Sequence, residues 1–126
     1  MTTIFTQIIA GIIPSHVVYE DTYTFAFLDN TPKAPGHVLI VPKIECDKFY
    51  DLEEPYYTAV FQTAKKIAKA VETVFGVRVI AKIIGTDVPH VHIHILPLRD
   101  KFDSADLPQT PHEFALIAAK IVSALK

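Results

Sequence analysis

A single cysteine, Cys46, among 126 residues leaves no partner for an intrachain disulfide and too few thiolates for a Cys-rich zinc cluster. A reducing compartment is compatible with that. Positive charge is also in short supply, with 12 Lys and Arg against 14 Asp and Glu and a formal net charge of -2. No basic field exists to attract a nucleic-acid backbone, so polymeric DNA or RNA is not an expected partner. No apolar run reaches the roughly 18 residues of a membrane span. The first 14 residues carry neither a basic leader nor a long hydrophobic stretch, and Gln7 interrupts them. A soluble, cytoplasmic chain with no membrane partner is the expectation. Internal repeats, low-complexity segments and linkers are absent as well. The ordinary composition, half hydrophobic and 21% charged, predicts one domain over residues 1–126, long enough for a core and too short for two.

What the chain does have is the run Asp87-Val88-Pro89-His90-Val91-His92-Ile93-His94-Ile95-Leu96-Pro97. Histidine at every second position alternates with Val91, Ile93 and Ile95, the period-two pattern of a half-buried strand. Three imidazoles are therefore expected on one sheet face and three aliphatics in a core. At a rise of about 3.3 Å per residue, neighbouring histidines stand roughly 6 to 7 Å apart and the outer pair about 13 Å apart. Two adjacent rings could share one zinc ion at about 2 Å from each nitrogen, but the outer pair could not converge on it. A division of labour fits better: one imidazole attacks, one holds or protonates the group under attack, and one orients its neighbour. The competing readings are surface histidines on an exposed face and a fortuitous metal chelate.

Around that run the periodicity is mixed. Ile4, Phe5, Ile8, Ile9 and Ile12 predict a short helix stopped by Gly11 and Pro14. Val17 to Glu20 and Tyr23 to Leu28 read as two strands about a turn at Asp21-Thr22. Asp29 to Gly36 is rich in turn formers and feeds an aliphatic strand, His37 to Pro42. From about Asp51 to Phe75, Val60, Ala64, Ile67, Ala68, Val71 and Phe75 follow helical spacing. Pro55 blurs the start, and Gly76 is the natural C-cap. Arg78 to Ile84 and His90 to Leu96 predict an antiparallel pair whose connecting loop, Gly85 to Pro89, lies beside the histidines. Thr110-Pro111-His112-Glu113 is a capping box opening a final helix to about Leu125. The order of elements predicts an α+β domain with helices against one antiparallel sheet.

These residues resemble the histidine triad (HIT) family, most closely its Hint-like, nucleotide-binding branch. His90 to Leu96 matches the family's His-φ-His-φ-His-φφ signature. Thr3-Ile4-Phe5 through Ile13-Pro14 with Tyr19-Glu20-Asp21, and Ala26 to Asp29 with Ala34 to Lys43, are similar to its N-terminal and central segments. The resemblance spans roughly residues 3 to 98. It implies a HIT-like fold, an antiparallel sheet of about five strands with helices packed on it, commonly joined to a second sheet across a homodimer. It also implies a nucleotide-binding hydrolase or transferase acting at an α-phosphate of a purine, AMP-like ligand, without a cofactor. By the same resemblance His92 is the nucleophile, His94 contacts the phosphate, and His90 and His37 orient the nucleophile. Asp29 falls where relatives bind the ribose hydroxyls, a task a carboxylate suits, although a turn-capping role is the alternative. Ile4, Phe5, Ile8, Ile13 and Phe27 match positions that enclose the base, with plain core packing as the alternative. Gly85 permits close approach of backbone to phosphate, as it would a plain turn.

Two departures from the family stand out. The loop before the triad is shorter, and the phosphate-contacting asparagine of the better-known Hint proteins has no counterpart. Asp87 replaces their serine and could repel phosphate, cap the loop, pair with an imidazolium or donate a proton to the leaving group. Thr3 and Thr6 stand where some bacterial relatives carry a Cys-x-x-Cys zinc site, so no metal is expected. His16 and His112 read as surface residues. The substrate expected is a nucleoside 5′-phosphoramidate or an adenylated small molecule. The alternatives are a dinucleoside polyphosphate hydrolase of the same family and a nucleotide-binding module with little turnover.

Overall fold

A computed structural model describes residues 3–125. Its elements are α1 (Ile4–Ile9), β1 (Val17–Glu20), β2 (Thr24–Leu28), β3 (Val38–Pro42), α2 (Tyr56–Phe75), β4 (Val79–Lys82), β5 (Ile93–Pro97) and α3 (Pro111–Ala124). The five strands form one sheet in the order β1-β2-β3-β5-β4, every neighbouring pair antiparallel. This is the α+β arrangement expected from the order of elements, and no helix among the described residues is long and apolar enough to cross a membrane.

Both faces of the sheet are covered. On one, Ala26, Leu28, Val38, Ile40, Val91, Ile93 and Ile95 pack with Val60, Ile67 and Val71 of α2 and Ile121 of α3. On the other, Phe25, Phe27, Leu39 and Val41 pack with Phe5 and Ile8 of α1. β2 and β3 are therefore buried along their whole length. That continuous burial replaces the alternation seen where one face is wet. In α2 the buried stripe runs Val60, Thr63, Ile67, Ala70 and Val71, so Thr63 and Ala70 join the predicted positions. The Thr63 hydroxyl is satisfied inside by that of Thr24, 3.0 Å away.

Several boundaries differ from expectation, each for a local reason. β2 starts at Thr24 because Asp21 Oδ1 accepts from the backbone N–H of both Tyr23 and Thr24 and holds them in the turn. α2 starts at Tyr56, not near Asp51: a 3-10 turn at Phe49–Asp51 and a cis Glu54-Pro55 bond precede it. The Glu54 carboxylate caps its first turn through the Thr58 N–H, 2.8 Å away. β4 is shorter at both ends than the expected Arg78 to Ile84. β5 starts at Ile93, so of the triad only His94 lies on the strand itself. Before it, the His90 N–H bonds back to Val88 O and the Val91 N–H to Cys46 O, which takes this backbone off the ladder. The alternation of side chains nevertheless carries through. The capping box of α3 is present in both directions between Thr110 and Glu113.

Candidate active site

The four histidines singled out in the sequence gather over the Phe5 side of the sheet. Phe5 presses edge-on against two of them, with ring centroids 5.7 Å from His90 and 4.9 Å from His92. The rings of His92 and His94 are 5.0 Å apart, and those of His94 and His37 5.2 Å. Leu39, opposite His94 in the β3-β5 register, supplies the apolar floor. His90, His92 and His37 are buried, which contradicts the reading of exposed surface histidines.

Fixed backbone groups determine which ring nitrogens carry protons. Nδ1 of His92 lies 2.8 Å from the His90 carbonyl, which only accepts, so Nδ1 carries a proton and in the neutral ring Nε2 presents the lone pair. Nδ1 of His37 accepts from the Lys33 N–H at 3.1 Å, so the His37 proton sits on Nε2 and is donated to His94 Nδ1 at 2.9 Å. His94 is left with an N–H on Nε2, on a half-buried ring. Nε2 of His90 donates to the Pro42 carbonyl at 2.9 Å, and its Nδ1 lies 2.7 Å from the Thr3 hydroxyl. The row thus offers one nucleophilic nitrogen beside one N–H donor.

Burial keeps the supporting rings neutral. It drives the His37 pKa down from 6.5 to about 4, against the opposing pull of Asp29. His90 and His94 are lowered as well, in both cases chiefly by burial.

Asp29 sits beside this network. Its Oδ1 accepts from the Thr31 N–H and hydroxyl, the turn-capping role weighed for it, while Oδ2 lies 3.6 Å from His37 Nε2. Asp29, His37 and His94 offer donor atoms all within 4.8 Å of one another, close enough for a metal. The proton inventory argues against that use. The neutral His37 ring accepts at Nδ1 and carries its proton on Nε2, the atom a metal would need.

Two cavities flank the histidines. One of about 440 Å³ is lined by Ile4, Phe5, Ile8, Ile13 and Phe27, the five residues expected to enclose a base. A second of about 270 Å³ is lined by Gly85 and Thr86 together with His92 and the segment Asp47 to Tyr50. Gly85 adopts φ +76°, a conformation that favours glycine, and lines the cavity of His92 and not the larger one. Asp87, two residues further along the loop, brings Oδ1 to 3.5 Å from His92 Nε2. The loop does lie beside the triad.

Some lining residues escaped the sequence reading. His16 is half-buried, stacked on Phe114 at 5.4 Å, and lines the larger cavity with Asn30 and Pro111. It is not a plain surface residue; His112 is exposed as expected. Asp47 to Tyr50 carries no motif, and only the fold brings it to Gly85.

Comparison with known proteins gives the same direction. A family model described as the HIT domain matches residues 10–101. The adenosine 5′-monophosphoramidase HNT1 of Saccharomyces cerevisiae is 40% identical over 100 residues, covering 78% of this chain and 63% of its own length. The chain thus spans somewhat less than two thirds of that relative. The adenosine 5′-monophosphoramidase hnt1 of Schizosaccharomyces pombe is 29% identical over 133 residues, with both chains covered completely. Among solved structures, a Hit-like protein involved in cell-cycle regulation from Bartonella henselae, determined with an unknown ligand, superposes with a TM-score of 0.87. It shows 31% identity, over 98% of this chain and 96% of that one.

Proposed function

The chain belongs to the HIT domain family, and from that premise we propose that it is a nucleotide hydrolase cleaving nucleoside 5′-phosphoramidates at the α-phosphate, with an adenosine nucleotide as the natural class. The observation that carries this reading is the bond from His92 Nδ1 to the His90 carbonyl, which in the neutral ring leaves Nε2 as the free nitrogen, in a ring whose centroid stands 5.0 Å from that of His94. Relatives named as adenosine 5′-monophosphoramidases support the choice of substrate.

The chemistry needs no general base to create the nucleophile, because Nε2 already holds a lone pair. His92 Nε2 attacks phosphorus, the P–N bond breaks, and the leaving amine takes a proton from solvent. His94 Nε2–H donates to a phosphate oxygen as charge builds there. Water then attacks the phosphorus of the nucleotidyl-His92, the P–Nε2 bond breaks, and the monophosphate leaves as a proton is released. The purine occupies the cavity behind Phe5, Asp29 faces the ribose, and the leaving amine points toward the cavity shared by His92, Gly85 and Tyr50. Homodimerisation through the sheets belongs to this reading as a further expectation from the family.

Turnover of an adenosine 5′-phosphoramidate by wild type beside His92→Ala tests it. Release of AMP by wild type alone, with an adenylated His92 trapped by mass spectrometry, is the expected outcome. AMP binding without turnover in either protein moves the assignment to a nucleotide-binding module. Faster hydrolysis of a diadenosine polyphosphate moves it to that substrate.

A further inference from the structure

We propose that Glu45, Thr6 and Thr3 form a positioning relay that fixes the tautomer and seat of His90 and, through the His90 backbone, the orientation of the His92 ring. The inference rests on the nucleophilic role given to His92 above. None of the three residues touches the base-sized cavity's floor or the reacting nitrogen, and no part of the proposed reaction uses them.

The hydrogen bonds leave one assignment of protons. Glu45 Oε2, from the segment after β3, accepts from the Thr3 backbone N–H at 2.6 Å and from the Thr6 hydroxyl at 2.5 Å. The Thr6 hydroxyl proton is therefore spent on the carboxylate. The Thr3 hydroxyl oxygen caps α1 by accepting the Thr6 N–H at 3.2 Å, and its own proton is free to go to His90 Nδ1 at 2.7 Å. At the far side of the ring Nε2–H is held by the Pro42 carbonyl, so His90 is clamped at both nitrogens in one tautomer. The carbonyl of that same residue accepts from His92 Nδ1.

The relay brings together pieces distant in sequence: Thr3 lies 42 residues from Glu45 and 87 from His90. Its anchoring of α1 has a second effect. Phe5 follows Thr3 by two positions and lies against both His90 and His92, so the carboxylate that holds the helix start also holds the aromatic edge against the nucleophile. The Thr6 hydroxyl first, and then the Thr3 N–H, hold the Glu45 carboxyl below the usual glutamate range, in keeping with a permanent acceptor. Glu45 is itself exposed. A cap that served α1 alone would need only Thr3 and the Thr6 N–H. The direct bond from Thr3 to a buried imidazole is the additional feature.

The test is long-range 15N NMR of the imidazole rings in the full chain, together with kcat and KM on adenosine 5′-phosphoramidate. Wild type is compared with Thr3→Val, Thr3→Ser and Glu45→Gln. Wild type is expected to show His90 as the Nε2–H and His92 as the Nδ1–H tautomer. Thr3→Val should mix the His90 tautomers and lower kcat roughly fivefold to tenfold, the worth of one hydrogen bond, with KM within about twofold. Thr3→Ser should restore both readouts, and Glu45→Gln should fall between. A folded Thr3→Val with wild-type tautomers overturns the relay whatever its activity. If Thr3→Val does not fold, Glu45→Gln decides by the same spectra, a wild-type His90 pattern overturning the relay. Should wild type fail to turn over the phosphoramidate, the proposed substrate is wrong while the tautomer spectra still decide the relay.

Discussion

Lowering the pH from 7.5 to 5 sets the buried histidines against their surroundings, and His37 gives the scale. Its pKa is about 4 in the folded chain against 6.5 when free. A histidine with a depressed folded pKa binds its proton more readily in the unfolded chain, so the unfolded state gains as pH falls through the window from 6.5 to about 4. At pH 7.5 the folded ring is neutral and the unfolded one only about one-tenth protonated. At pH 5 the unfolded ring is almost fully protonated and the folded one only about one-tenth, a difference that integrates to about 2 kcal/mol, rising to about 3 kcal/mol below pH 4. His90 and His94 are shifted the same way and steepen the loss. The lowered carboxyls of Asp21, Glu45 and Glu54 start from ordinary values of 3.8 and 4.5, so their contribution falls mainly below this range. Urea unfolding followed by circular dichroism at several pH values reads the effect, with His37→Asn as control because its amide oxygen can still accept the Lys33 N–H. Wild type should lose at least about 2 kcal/mol between pH 7.5 and 5. The variant should start lower and show a slope smaller by up to one proton, about 1.4 kcal/mol per pH unit. A flat wild-type profile, or an unchanged slope in the variant, refutes the reasoning.

Gly36, at φ +81°, sits where a Cβ would come within 2.3 Å of Phe75 Cε2 and 2.8 Å of Cζ. Gly36→Ala should therefore destabilise by about 2 to 5 kcal/mol, combining left-handed strain with overpacking. It should also shift His37, the next residue; a melting temperature within a couple of degrees of wild type contradicts the packing argument. Asp87 places a carboxylate 3.5 Å from His92 Nε2, the nitrogen proposed to approach phosphate. Removing one like charge at about 5 Å in water is worth roughly 0.8 kcal/mol, so Asp87→Asn should tighten AMP binding about fourfold by calorimetry. Weaker binding would instead mean that the carboxylate serves the loop or the ligand.

Period-two spacing sufficed to place the three triad rings on one side and Val91, Ile93 and Ile95 on the other, because side-chain alternation depends on extended backbone and not on ladder pairing. Where β5 begins was not legible. It is decided by the bond from the Val91 N–H to Cys46 O, and residue 46 belongs to a loop with no periodicity. The start of α2 escaped for a similar reason, since a cis bond before Pro55 and a cap from the Glu54 side chain have no periodic signature. Thr3 and Thr6 read only as replacements for cysteines. Their partners Glu45 and His90 lie 39 and 87 residues away, and only the folded sheet brings them together.

The second core cluster explains why the histidines can work as they do. Phe5, Phe27, Leu39 and Val41 exclude water from the face on which the rings lie, and that exclusion is what lowers the pKa of His37, His90 and His94. A neutral ring has one protonated and one free nitrogen, and the choice between them falls to whichever fixed backbone group lies nearest. Three such groups, the Pro42 and His90 carbonyls and the Lys33 N–H, each select a tautomer, and the His37–His94 bond passes the selection on. In the neutral His92 ring the His90 carbonyl holds the one proton on Nδ1 and so leaves Nε2 free. The same desolvation makes the fold sensitive to acid, so a substitution that wets this face, such as Phe5 to a polar residue, should flatten the pH profile of stability and lower turnover together.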